Sequence, residues 1–183
     1  SFFNMSCVQG LGIILPFFAR KNISFQIKEV SRLSIEDLEK NHVLFFGNTR
    51  CLGFFRRIVN NPALEILVQN DRICFLASEK EEYYFPYERN TYYKDHGILL
   101  KLPGLKGNEI IICSAFHVSG IIGLLSWITH MDNLEALECK LNQENPESLY
   151  YKALFEISGY NIEAYKTSLI QLKVFSKDID IWE

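Results

Sequence analysis

From Ile110 to Trp127 the chain carries no Asp, Glu, Lys or Arg, a run long enough to be weighed as a bilayer span. Two solutions are open to such a run: it crosses a membrane, or it forms the centre of a folded core. His117, three serines and two glycines interrupt it, and no basic cluster flanks it to fix an orientation in a bilayer. The periodicity also changes partway along. Before Ser114 the residues are β-branched, whereas after His117 the apolar positions Val118, Ile121, Ile122, Leu125 and Ile128 recur at helical spacing. The stretch Asn108–His130 therefore reads as a central strand, a short loop at Ser114–His117 and a buried helix. Ser119, Gly123, Ser126 and His130 form a small or polar stripe on that helix, opposite the bulky one, which would let a second backbone approach closely.

The rest of the chain supports the core reading. With 183 residues, 48% hydrophobic and 22% charged, it fits one α/β domain spanning 1–183 with a substantial core. It starts at Ser1 rather than Met, so it is expected to be a fragment of a longer chain. A formal net charge of −3 gives no electrostatic reason for direct nucleic-acid binding, and Arg50, Arg56 and Arg57 make only a small basic group. Five cysteines, at 7, 51, 74, 113 and 139, are odd in number and lack CxxC spacing, which suggests reduced thiols and a cytoplasmic setting. The apolar run Gly10–Ala19 is followed, not preceded, by Arg20 and Lys21, unlike a secretory leader. No membrane span is expected.

In chain order, Val8, Leu11, Ile14, Leu15 and Phe18 predict a helix over Met5–Arg20, with Pro16 as a potential kink. Ile23, Phe25 and Ile27 alternate with Ser24, Gln26 and Lys28, a strand pattern over Ile23–Val30. Ser34 and Asp37 frame an N-cap for a helix at Ile35–Lys40. His42–Phe46 reads as a strand and Arg50–Val59 as a helix. This alternation favours a Rossmann-like layered fold with a mixed, largely parallel central sheet. Antiparallel additions follow in the second half: a hairpin at Ala63–Val68 with Arg72–Ala77, a turn-rich connection at Pro103–Gly107 between Gly97–Leu102 and Glu109–Cys113, a helix at Asp132–Leu141, and two late strands around Tyr151–Ile157 and Ile170–Val174 near a sheet edge.

In open α/β sheets ligands favour the carboxyl ends of strands. Two strand-to-helix junctions qualify: Gly47-Asn48-Thr49-Arg50 and Ser114-Ala115-Phe116-His117-Val118-Ser119-Gly120. The first offers a tight turn, a capping side chain, helix amides and a cation suited to an anion; the second offers hydroxyls, an imidazole and helix amides. If their strands run the same way, Asn48, Thr49, Arg50, Ser114, His117, Ser119 and Gly120 would line one site for a small polar or anionic molecule. Gly-Asn-Thr before a helix is equally ordinary capping chemistry, and neither loop has nucleotide-fingerprint spacing.

Catalytic constellations are weaker. Ser114 or Ser119 with His117 and Asp95 could compose a hydrolase triad, but neither serine sits in a Gly-x-Ser-x-Gly elbow. Cys113 follows three isoleucines and reads as a packed thiol rather than a partner for His117. His42, His96, His117 and His130 lack metal-ligand spacing; no metal, cofactor or catalytic residue is assigned. Glu79, Glu81 and Glu82 read as a solvated charged loop. The segment around them holds Tyr83, Tyr84, Phe85, Tyr87, Tyr92 and Tyr93, suited to a pocket lip, an edge hairpin, or a contact with a second copy or a neighbouring domain.

Gly47-Asn48-Thr49 closing a strand, Lys94-Asp95-His96-Gly97-Ile98 entering another, then an apolar strand, Ser114 and a Gly-containing helix together resemble an uncharacterised Rossmann-like bacterial domain often joined to DNA-binding or signalling modules. The resemblance spans about residues 5–140, with Ser114 where that domain usually has glycine. It implies a sensory or regulatory role and transfers no catalytic residue. Three functions are thus carried forward: a ligand-sensing domain, a hydrolase or nucleoside-processing enzyme using His117 and a hydroxyl, and an interaction module working through the tyrosine-rich segment.

Overall fold

The computed structural model describes residues 5–77, 80–84, 86–89, 91–161 and 163–182. Helix α1 (Met5–Arg20) runs through Pro16 and ends at a turn in which Asn22 takes a left-handed conformation, φ 53°. Helix α2 (Ile35–Lys40) begins at a complete capping box, in which Ser34 and Asp37 bond each other's backbone amides. The Lys28 ammonium, 2.5 Å from Asp37, and Ser34 hold that carboxyl well below the usual carboxylate range. Strand β1 (Val43–Asn48) follows.

The expected helix over Arg50–Val59 divides. A 3-10 turn at Thr49–Cys51 and a short helix α3 (Phe55–Val59) are separated by Gly53, whose φ of 51° interrupts a continuous helix. Strands β2 (Ile66–Val68), β3 (Ile73–Ala77) and β4 (Lys80–Tyr84) form a small antiparallel sheet in that order. Then come β5 (Tyr87–Arg89), β6 (Tyr92–Pro103), β7 (Glu109–Ala115), α4 (Val118–Ile128), α5 (Met131–Glu144), β8 (Tyr151–Tyr160) and β9 (Glu163–Val174). The central sheet has the order β1-β7-β6-β8-β9, with β5 also against β6.

A largely parallel sheet is not what forms. Among the described residues only β1 and β7 run parallel, and every other ladder is antiparallel. The cause is local: β6 enters β7 through the tight Gly104–Asn108 connection, closed by Gly104 N donating to Asn108 O at 2.7 Å and by Gly107 at φ 80°. Such a turn reverses the chain, whereas a parallel neighbour needs a crossover. Asn108, nearly buried, also donates from Nδ2 to Leu38 O at 2.8 Å, tying the turn to α2.

Alternation along β6, β7 and β8 divides the interior into two cores. Ile98, Leu100, Leu102, Ile110, Ile112 and Leu154 meet α3 and the small sheet on one side. Leu99, Cys113, Ala115, Ala153, Phe155 and Ile157 meet α1 and α4 on the other. The central sheet is thus covered on both faces, which explains the unbroken apolar run of β7. The stripe on α4 behaves as expected at Gly123, where a Cβ would lie 2.7 Å from Ile157 and 3.0 Å from Ala164. No described helix is long and apolar enough to cross a membrane.

Three further features depart from the sequence pattern. Residues 23–29 belong to no strand despite their alternation, and Ile23, Phe25 and Ile27 are about half exposed. Strand β9, at the sheet edge, skips two positions in its ladder with β8, Tyr165 and Ile170, and both stand out toward solvent. Lys152 on β8 is 1% exposed; its Nζ donates to Glu65 O at 2.6 Å and sits 4.6 Å from the Phe75 ring centroid. Burial lowers its pKa to about 8.

Candidate functional site

The parallel β1–β7 pair brings the two junctions to one rim. Gly47 stands opposite Ser114 and Asn48 opposite Ala115, so both loops leave the sheet at the same end. Asn48 joins them directly: Nδ2 donates to Phe116 O, while Oδ1 accepts from Arg50 N at 2.8 Å. Ser114 adds a second stitch, its hydroxyl donating to Gly47 O at 2.9 Å.

The rim is organised by a residue outside both loops. Asp95, on β6 and fully buried, accepts from His96 N through Oδ1 at 2.8 Å and from His117 N through Oδ2 at 2.9 Å. Helix α4 has no side-chain cap from His117, its own N-cap residue. A carboxylate from the adjacent strand sits at that end instead, where helix amides and the helix dipole favour negative charge. Gly120 makes the approach feasible, because a Cβ there would fall 2.1 Å from Asp95 Oδ2.

Asp95 Oδ2 also lies 3.5 Å from His117 Nδ1, and the imidazole is 46% exposed. A carboxylate facing Nδ1 favours a proton on that nitrogen and leaves Nε2 as the acceptor. An acid facing an imidazole in this way is the pairing a hydrolytic triad would need. The serines do not complete it: Ser114 is buried and committed to Gly47 O, and Ser119 is buried beside Tyr93. Cys113 is fully buried, which pushes its thiol up to about 12 and leaves it protonated and unreactive. Among the described residues no group of three or more His, Cys, Asp or Glu could hold a metal ion.

The seven residues expected to bind ligand therefore play different parts. Arg50 and His117 are exposed at the rim. Asn48 and Ser114 hold the loops together, Gly120 admits Asp95, and Thr49 and Ser119 are buried, with Thr49 Oγ1 lacking a partner among the described residues. Of the tyrosine-rich segment, the side chains of Tyr83 and Tyr87 lie outside the described residues, as do Glu79, Phe85 and the side chains of Glu81 and Glu82. Tyr84 contacts His96, with ring centroids 5.2 Å apart, and its hydroxyl accepts from Gln171 at 2.6 Å. Tyr92 is half-buried.

Tyr93 is buried over Gly159, where a Cβ would lie 2.1 Å from its hydroxyl. Burial raises its phenol pKa, and its hydroxyl has no hydrogen-bond partner among the described residues. A cavity of about 200 Å³ lies between the end of α5 and β9, lined by Lys140, Gln143, Glu144 and residues 169–172. None of its lining residues belongs to either loop.

The sequence pattern admits Asp95 to a Ser-His-acid arrangement but does not place it between the two loops. The signal is present: one acid, separated only by His96 from the strand residues Gly97-Ile98-Leu99-Leu100, must find donors when it is buried. No known protein family, curated protein or solved structure matches this chain.

Proposed function

We propose that this chain is a ligand-sensing or regulatory domain that takes a small polar molecule at the rim shared by the 47–50 and 114–120 loops. The observation that supports it is the parallel register of β1 and β7, Asn48 opposite Ala115, since adjoining carboxyl ends of parallel strands are the usual ligand position in α/β sheets. Asp95 narrows the chemistry. Its carboxylate already fills the anion-favouring start of α4, so a second negative group there would meet like charge. An anionic group is better directed to Arg50, with a donor of the ligand directed to His117. A switch further requires that the ligand bind two arrangements of the loops with different affinity. We take the setting to be cytoplasmic, where thiols such as Cys51 and Cys139, both exposed, stay reduced.

Thermal-shift screening against nucleotides, sugar phosphates and hydroxy acids is the test. A hit should raise the melting temperature of the wild type and lose that effect in Arg50→Ala and in His117→Ala. A hit that stabilises both variants as well as the wild type refutes the rim as its site. A second reading, a hydrolase or nucleoside-processing enzyme, draws on the 3.5 Å approach of Asp95 to His117. It requires turnover that His117→Ala abolishes.

A further inference from the structure

Residues 40–64 contain no Asp or Glu, in a chain that has 22 of them, yet they hold Arg50, Arg56 and Arg57. None of these arginines forms an ion pair among the described residues, and neither does Asp71 on the nearby β2–β3 hairpin. Arg50 and Arg57 are exposed, whereas Arg56 is half-buried. Its guanidinium is committed to neutral acceptors: Nη2 donates to Thr49 O at 2.5 Å and to Asn70 Oδ1 at 3.0 Å, and Nη1 donates to Val68 O at 3.1 Å. Charges withdrawn from water are usually paired, and this one has no counter-charge. The Thr49 hydroxyl, on the residue whose carbonyl Arg56 holds, is buried and likewise has no partner among the described residues. Guanidinium and hydroxyl, meeting at residue 49, would each gain from an oxygen acceptor.

The same bonds bring a third loop to the rim. Strands β2 and β3 are joined through residues 69–72, closed by Gln69 N donating to Arg72 O at 2.9 Å. At the tip of that hairpin, the exposed Asn70 side chain reaches the guanidinium nitrogen that also holds Thr49 O. The tip of the small sheet is thus fastened to the end of β1 through one arginine. The base of the hairpin has its own anchor, because Asn60 bonds both backbone groups of Val68, accepting from N at 2.8 Å and donating to O at 3.2 Å. The Asn70 contact can therefore break without detaching the small sheet.

We propose that Arg56 is an anion-operated latch: an oxyanion group of the rim ligand, phosphate or carboxylate, replaces Asn70 Oδ1 on Arg56 and releases the 69–72 tip. This rests on the ligand-sensing reading above and adds the group recognised and the element it moves. The exchange is favoured because a charge-assisted bond to an oxyanion is roughly twice as strong as one to a neutral amide oxygen. Arg50, next in the chain to Thr49, supplies a second cation. A switch needs two arrangements that differ in affinity for the ligand. Here they are the latched tip, in which Asn70 competes with the ligand, and the released tip, in which it does not.

The probes are inorganic phosphate and malonate, titrated over about 1 to 50 mM at constant ionic strength while the melting temperature is followed. At least one should stabilise the wild type beyond matched chloride, and the one that does names the group. Arg56→Lys, which keeps the charge and loses the planar fork, should weaken that binding at least about fivefold. The two variants at the exposed tip move in opposite directions. Asn70→Ala removes the competitor and should tighten binding about threefold, whereas Asn70→Asp places a carboxylate on the latch and should weaken it about tenfold. Saturating anion should also speed amide hydrogen exchange over residues 69–72, where stabilisation alone would slow it. Stabilisation that depends on Arg50 but is indifferent to the Asn70 and Arg56 variants leaves the rim reading standing and overturns the latch. Looser binding in Asn70→Ala, slower exchange at the tip, or no effect of either anion beyond chloride overturns it as well.

Discussion

Lys152 gives the fold a measurable dependence on alkaline pH. Its ammonium is buried beneath the small sheet with one backbone acceptor, Glu65 O, and one aromatic face, Phe75. Burial is the main reason its pKa falls from 10.5 to about 8. A fall of that size means the charged form costs the folded state about 3 kcal/mol at neutral pH. The folded value lies below the unfolded one, so between them the unfolded chain holds the extra proton and stability rises with pH. Between pH 7 and pH 10 this single group should contribute a gain of about 2.5 kcal/mol.

Lys152→Met removes the charge and keeps the length. Its cost is small, because Glu65 O retains the Leu76 amide at 2.9 Å; losing one hydrogen bond and the ring contact is worth about 2 kcal/mol. The variant should therefore be more stable than the wild type by about 1 kcal/mol at pH 7 and less stable at pH 10. Urea unfolding of both proteins at pH 7, 8, 9 and 10 reads the difference directly, and other groups titrating in this range cancel in it. A wild-type-minus-variant difference that stays flat to within ~0.5 kcal/mol across the series would refute the buried ammonium as its cause.

Gly120→Ala drives a methyl group into the Asp95 carboxylate and should cost about 2–3 kcal/mol in chemical denaturation; a neutral outcome would mean the α4–β6 approach is looser than described. Ser34→Ala removes half of the α2 capping box and should cost about 1 kcal/mol, read from the urea midpoint. Native-state titration with an aromatic disulfide, in a Cys7→Ser background, should label Cys51 and Cys139 promptly and reach Cys74 and Cys113 only on unfolding. Fast labelling of Cys113 would contradict its raised pKa.

The elements with strong periodicity were legible before any coordinates. The switch from β-branched residues to helical spacing between Cys113 and Val118 marks β7 and α4, and Ser34 with Asp37 marks α2. What the pattern could not give was strand direction. The first half alternates helix and strand in a way that suits a parallel sheet, but β6 reaches β7 through five residues, and that turn length sets the sense of the pair. At the site, the two loops were legible as capping sequences, and the meeting of their ends follows once β1 and β7 pair in parallel. Asp95 was not legible as their organiser, because its donors, the amides of His96 and His117, include one 22 residues away. The strand expected over Ile23–Val30 does not form, for the opposite reason. Local alternation is clear, but among the described residues no strand pairs with it.

Because Asp95 fastens the start of α4 from a neighbouring strand, that helix cannot translate without stranding one oxygen of a buried carboxylate and the His117 amide. Farther along, Gly123 sits against Ile157 and Ala164 with no space for even one additional carbon, so the helix is fixed at a second point. Whatever occupies the rim would then have to send its message elsewhere. The other element at the rim is the 49–54 connection, where a three-residue turn and Gly53 join the edge strand to a helix of only five residues. Under the ligand-sensing proposal, α4 is therefore the fixed side of the rim, and any rearrangement falls on the side of α3 and the small sheet.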